Sequence, residues 1–327
     1  MPKLFSEPWY RSNSRVTPES SFRTRREFLR DLGVLGITGL VAAQWGCGHS
    51  EKLIAVEEGC NESDLLDITR FDALNATQNQ TYALAPARAL TSSSDALSHN
   101  NFYEFSEDPK SIWCLSRNFQ TKPWSVNISG ACEKQGDFNL ESILTLSPPE
   151  ERVYRHRCVE AWAMTVPWIG YSLRHFIDWC APTNDATHVR FVSAFDASTM
   201  KNVNFIWPYY EGLRLDEARH DLALLATGMY GRELSPQNGA PLRLVLPWKY
   251  GYKSIKSIAS VEFLKAEPST FWRDIDQNEY PFLSNVDPTR PHTFWSQETE
   301  RLLGTTDRVP TLPYNGYGEW VAYLYSG

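Results

Sequence analysis

Apolar and polar positions alternate in short bursts along this chain, never in long periodic runs. Trp124 to Ile128 alternates with period two and stops at Gly130, the pattern of a strand with one buried face. Arg152 to Arg157 alternates in the same way and predicts a strand that delivers Cys158 to a loop. His188 to Ser193, Leu222 to Ala226, Leu242 to Leu246 and Ser260 to Leu264 predict four more strands. Helical spacing is rarer. Leu173, Phe176, Ile177 and Cys180 fall at i, i+3, i+4 and i+7 behind Ser172, so Cys180 is expected in the core of a short helix. Leu140 to Leu146 predicts a helix stopped by Pro148 and Pro149, and Leu215 to Arg219 a single turn. Short helices scattered among strands predict an α+β fold with mixed sheets, not a doubly wound parallel sheet.

The ends of the pattern divide the chain into residues 1–45, 46–98 and 99–327. In the first segment Thr24 to Arg30 reads T-R-R-E-F-L-R, the twin-arginine export pattern, ahead of an apolar run from Leu32 to Ala43. A run that short cannot cross about 30 Å of hydrocarbon, which takes roughly 20 residues. It reads as a signal segment. Cys47 after Gly46 leaves a lipid anchor open as an alternative. Residues 46–98, rich in Ser, Asn, Asp and Thr, predict an irregular arm. Ordered structure is expected from Asn100 onward.

Composition narrows the chemistry. The 327 residues carry a net charge of −7, and no basic stripe follows the leader, so nucleic acid is not an expected partner. None of the six cysteines forms C-x-x-C, and no H-E-x-x-H, G-x-G-x-x-G, G-x-x-x-x-G-K-[ST] or G-x-S-x-G occurs. What remains is concentrated at two places. Cys158 follows Arg155, His156 and Arg157, whose charge is expected to favour the thiolate, and precedes a nearly unbroken apolar stretch to Gly170. A soft ligand against a dry wall suits a metal or cofactor site, and a buried structural cysteine stays open beside it. The second place is Gln237 to Lys256, where Arg243, Lys249, Lys253 and Lys256 interleave with Trp248, Tyr250 and Tyr252. Such cations, with Asn238, suit a phosphate or a pterin carbonyl in a lined pocket, against the alternative of a solvated loop.

At these residues the chain resembles a known family. N-N-F-Y-E-F (100–105), R-H-R-C-V-E-A-W-A-M-T-V-P-W-I-G (155–170), E-G-L-R-L-D-E-A (211–218) and P-Q-N-G-A-P-L-R-L-V-L-P-W-K-Y-G-Y-K-S-I-K-S-I (236–258) are similar to bacterial protein-methionine-sulfoxide reductase catalytic subunits. Those are periplasmic molybdoenzymes of the sulfite-oxidase family. The resemblance implies a sulfite-oxidase-type domain over 99–327, holding Mo-molybdopterin with Cys158 as thiolate ligand to the metal. It also implies that Asn100, Tyr103, Glu104, Ser193, Asn238, Arg243, Ser254, Ile255 and Lys256 bind the cofactor. Ser193 stands where the family is expected to have threonine. Arg155 and Arg157 are expected to orient the site from behind. A haem-bearing membrane subunit fed by quinol would supply electrons, oxidised envelope proteins would be substrates, and the twin-arginine machinery would export the chain to the periplasm. Sulfite-type oxidation by the same cofactor is the nearest alternative, and an exported binding protein without turnover a second. An oxidising compartment also allows Cys114 to pair with Cys132.

Overall fold

The computed structural model describes residues 60–326. The twin-arginine stretch and Cys47 lie outside them. Thirteen strands are laid down among these residues: β1 (Thr77–Gln78), β2 (Ser125–Gly130), β3 (Gly136–Asn139), β4 (Glu150–Arg157), β5 (Trp162–Ser172), β6 (His188–Ser193), β7 (Tyr210–Arg214), β8 (Leu224–Met229), β9 (Arg232–Glu233), β10 (Arg243–Val245), β11 (Ile258–Leu264), β12 (Thr299–Leu302) and β13 (Arg308–Pro310). Among the described residues helices are short, the longest being the expected Leu173–Cys180. The fold is α+β with two mixed sheets.

The larger sheet is built on β5. Its N-terminal side pairs in parallel with β12, its C-terminal side pairs antiparallel with β8, and β4 runs antiparallel along its other edge, from Arg157 opposite Ala163 to Glu150 opposite Gly170. This explains the unbroken apolar run: β5 is covered on both faces, so nearly every residue is buried and no period of two is left to read. The second sheet has the order β3-β2-β11-β6-β7. Its inward residues Val126, Ile128, Phe191 and Phe263 join Tyr154, Val166, Trp168 and Leu224 of the larger sheet in one core.

Residues 60–98 are largely irregular but not detached. A helix over Ser93–Ser98, capped by the Ser92 hydroxyl on the Asp95 amide (3.1 Å), buries Ala96 and Leu97 completely. Cys60 forms a disulfide with Cys114. The pairing of Cys114 with Cys132 is therefore corrected. Cys132 is a buried free thiol in the β2–β3 turn, its Sγ donating to the carbonyl of Lys134 at 3.2 Å.

Candidate active site

Cys158 sits at the turn of the β4–β5 hairpin. Its amide donates to the Trp162 carbonyl (2.9 Å), and the Ala161 amide donates back to the Cys158 carbonyl (3.1 Å). Closing so tight a turn puts Ala161 in the left-handed region at φ 60°. The sulfur accepts from the Asn101 amide nitrogen at 3.5 Å and from the Glu160 backbone N–H at 3.4 Å. Behind the turn, Arg157 donates to the Cys158 carbonyl and to Gln297 Oε1 (2.7 Å), and its Nε pairs with Glu300 Oε2 (2.8 Å). The indole of Trp295 and the amide of Gln297 both donate to the Val159 carbonyl, at 2.8 and 2.7 Å. The loop is therefore clamped from the C-terminal part of the chain.

The thiol is not acidified. Burial, followed by the nearby Glu160 carboxylate, pushes the Cys158 pKa up, and Arg157 and Lys256 oppose this only weakly. The expectation of a more acidic thiol fails because burial outweighs the neighbouring positive charge, most of which is engaged elsewhere. The charge of Arg157 is directed at Glu300, burial keeps His156 neutral, and Arg155 donates to the Pro86 carbonyl at 3.0 Å. Arg157 does lie behind the turn as expected; Arg155 does not reach it.

The remaining expected residues lie on neighbouring segments, most of which are tied by hydrogen bonds. Asn238 donates to Asn100 Oδ1 and to the Ala96 carbonyl, both at 3.0 Å, and is held by the Ser235 hydroxyl at 2.7 Å. Arg243, on β10, donates to the carbonyls of Asn238 (2.8 Å) and Ser254 (3.1 Å). The Ser254 hydroxyl accepts from the Leu246 amide (3.0 Å), and the Ile255 carbonyl from the Leu244 amide (2.9 Å). Lys256 reaches the Asn101 carbonyl (2.6 Å), while its own carbonyl accepts from the Ser193 hydroxyl (2.8 Å). The hydroxyl is thus what this position uses, whichever of serine or threonine supplies it. Tyr103 donates to Glu160 Oε1 at 2.9 Å, tying the segment 100–104 to the thiol turn. Gly239, at φ 97°, lets the two segments touch: a Cβ there would come within 2.8 Å of the Lys256 side chain.

Electrostatically this network is short of anions. Arg243 is 2% exposed and, among the described residues, no carboxylate stands within ion-pair distance of it or of Lys256. Burial pulls Arg243 down to about 9 and also depresses Lys256. Burial raises Glu104, which acts on Lys256 through space. Buried donors also lack partners nearby: Gln237 Nε2 and Trp168 Nε1, the latter on the ring under Arg243 at 4.9 Å. Unpaired buried groups cost about 1–3 kcal/mol each, and a buried bare cation more. No three His, Cys, Asp or Glu side chains among the described residues converge on a metal position. The donor set fits an anionic, hydrogen-bonding organic group carrying a soft metal, with Cys158 as the one protein ligand.

Sequence reasoning missed Asn101, Glu160, Gln297 and Glu300. The first two lie inside the quoted motifs and could have been read from them; the last two lie some 140 residues from the thiol.

Residues 115–272 match the family described as oxidoreductase molybdopterin binding domain. Curated relatives extend the match over nearly the whole chain. The protein-methionine-sulfoxide reductase catalytic subunit MsrP of Xanthomonas axonopodis pv. citri is 41% identical, over 96% of this chain and 95% of its own. That of Campylobacter jejuni is 42% identical, over 95% and 96%. The chain belongs to the MsrP family. It is accordingly a molybdopterin-dependent oxidoreductase acting on sulfur groups. Among solved structures, the sulfane dehydrogenase SoxCD of Paracoccus pantotrophus aligns at a TM-score of 0.43 and 15% identity, over 70% of this chain and 59% of its own.

Proposed function

We propose that this member of the MsrP family is an exported reductase that returns methionine sulfoxide in oxidised envelope proteins, and free methionine sulfoxide, to methionine. The observation that carries it is the buried Cys158 thiol beside a cradle that, among the described residues, holds Arg243 without a carboxylate partner and Lys256 with only the through-space field of Glu104. Bound molybdopterin supplies two-electron redox chemistry and an acceptor for an oxygen atom. The chain does the rest. Cys158 Sγ ligates the metal, and Asn101 and the Glu160 amide fix the direction of the sulfur. Arg243, Lys256 and Asn238 hold the anionic and polar groups of the cofactor, with Ser254, Ile255 and Ser193 shaping the loop around them. Glu104 and Asn100 brace that cradle, and Arg157 locks the turn from behind. Tyr103 Oη holds a proton towards Glu160 Oε1 on the more open side of the thiol, where a sulfoxide oxygen leaving as water requires two protons. No described helix is long and apolar enough to cross a membrane. Electrons are assigned to a haem-bearing membrane subunit, and location in the periplasm to the twin-arginine stretch.

Purified protein with quantified molybdenum would be offered peptide methionine sulfoxide with reduced viologen, and separately sulfite with an oxidant. Sulfoxide-dependent dye oxidation that disappears in Cys158→Ser is expected. Turnover with sulfite alone would overturn the substrate assignment and favour the oxidase alternative.

A further inference from the structure

The mouth of the site continues into an unusual surface. Tyr103, which reaches Glu160, makes edge contacts with Trp272 at 5.2 Å and Phe205 at 5.9 Å. From there one branch of rings runs through Phe271 to Trp207, stacked at 5.3 Å, and on to Phe195. Another runs from Trp272 to Tyr280, His292 and Phe294. Each branch ends in apolar side chains open to water. Val203 is 90% and Ile206 87% exposed on the loop between Phe195 and Trp207, Ile275 is exposed beside Trp272, and Phe294 is 57% exposed. Large aliphatic groups so fully presented, on a loop whose two ends, Phe195 and Trp207, belong to a connected set of rings, mark a recognition surface.

The loop is held by the site itself. Asn202 donates its side-chain amide to the Tyr103 carbonyl (2.7 Å) and its backbone N–H to the Glu104 carbonyl (3.1 Å), while the Trp207 indole donates to the Asn202 carbonyl (2.6 Å). Val203 and Ile206 are therefore fixed relative to Cys158 through the same segment that carries Tyr103 and Glu104. Charge decides between occupants. Glu107, Glu160, Asp274, Asp276 and Glu279 lie along these segments, Glu279 beside His292, against Lys201, Arg273 and Arg290, with Arg273 paired to Glu267 and Arg290 bonded to the Asn278 carbonyl, so acidic residues remain in excess. An anionic lipid surface is recognised by an excess of basic residues, the reverse of what stands here. An extended polypeptide needs only apolar footholds on either side of the reacting side chain, and the rings suit a flexible sulfur-bearing stem between them.

We propose that this face docks an extended segment of oxidised polypeptide. Val203 and Ile206 take up apolar residues flanking the methionine sulfoxide, and Tyr103 with Trp272 lines its path to Cys158. The inference rests on the reductase reading and adds a sequence preference to it. The test uses the loaded enzyme and a Val203→Ser/Ile206→Ser variant, whose two sites carry no packing load. Three substrates are compared: N-acetyl-methionine sulfoxide, a peptide with Leu and Val flanking the sulfoxide, and the same peptide with Ser flanks. The variant is expected to lose roughly tenfold in kcat/KM on the apolar peptide, through KM, the order for two partly buried aliphatic contacts. The other two substrates should be unaffected. An unchanged ratio among the three, or an equal loss on all, would overturn the proposal. So would unchanged peptide kinetics with lost binding to anionic vesicles, which would make the face a membrane contact. If the wild-type enzyme reduces no sulfoxide, the reductase reading fails. Fluorescence anisotropy of the labelled apolar peptide then still decides docking: binding weakened in the variant supports it, and no binding sinks it.

Discussion

Two fully buried arginines flank the site, and they are built on opposite plans. Arg157, at the end of β4, is met by Glu300, which also takes Arg88, and by Gln297 and Thr311. Arg243, on β10, is met by carbonyls and the face of Trp168. The first region is electrostatically complete in the protein alone. The second is complete only when something anionic enters. A buried ion pair adds little net stability but is costly to break, whereas a buried cation without a counter-ion is a standing penalty that a ligand can relieve. The contrast separates scaffold from binding site more sharply than burial does, since both side chains are almost wholly covered.

The largest effect should come from breaking the complete region. Glu300→Gln leaves Arg157 buried without its counter-charge and is expected to cost about 3–5 kcal/mol, read by urea unfolding of the cofactor-free protein. Replacing both partners, Arg157→Met with Glu300→Leu, should recover much of that loss, because the wholly buried guanidinium goes with its counter-charge and Arg88, 15% exposed, keeps some access to water. A Glu300→Gln protein within about 1 kcal/mol of wild type would remove the basis of the comparison.

The incomplete region should show itself through pH, with a smaller effect. Burial depresses Lys256 below its ordinary value of 10.5 and raises Glu104 above 4.5. For a depressed base the unfolded chain binds the extra proton between the two values. Stability is then highest above 10.5 and is lost as pH falls towards the folded value. For a raised carboxyl the folded chain binds the extra proton, so its contribution is full below 4.5 and is lost as pH rises. Together these predict a stability minimum near neutral pH in the cofactor-free protein, with slopes of at most about 1.4 kcal/mol per pH unit from each group. Lys256→Met should flatten the alkaline side and Glu104→Gln the acid side. A profile without the minimum in wild type, or one unchanged in both variants, would refute the assignment.

The same contrast explains what the sequence could show. Strand β4 was legible from the alternation over 152–157, and with it the position of Cys158 at a turn, although its faces are reversed, Arg152 being buried and Val153 exposed. Strand β6 matched residue for residue. Strand β5 was visible only as a dry wall, since a strand covered on both faces loses its period. Strands β7 and β12 are short and polar enough to pass for loop. The cradle at 236–258 was legible through its cations in an acidic chain, and the resemblance gave order to the residues within it. Glu300 left no such trace: it lies in the four-residue β12, and nothing local ties it to Arg157, 143 positions earlier. The acidity of Cys158 was misjudged for a related reason. Nearness in sequence puts charge near a thiol but does not reveal how deeply the thiol is buried, and here burial prevails while Arg157 is turned to Glu300. The disulfide shows the same limit, because Cys60 comes from an arm whose local pattern does not reveal where it packs.

The smallest effect on stability is the most telling. Arg243→Met removes a buried cation, which favours the folded cofactor-free protein, and leaves the carbonyls of Asn238 and Ser254 without that donor, which disfavours it. The two should nearly cancel, so unfolding of the cofactor-free variant is expected within about 1 kcal/mol of wild type. Molybdenum content after expression should nevertheless fall steeply, since the counter-charge for the bound group is gone. Arg243→Lys keeps the charge but not the forked geometry and should recover loading only in part. Stability lost by several kcal/mol in Arg243→Met, with metal content following the amount of folded protein, would make Arg243 a second scaffold arginine like Arg157. Unchanged stability with lost metal would place the two in the separate classes that their partners indicate.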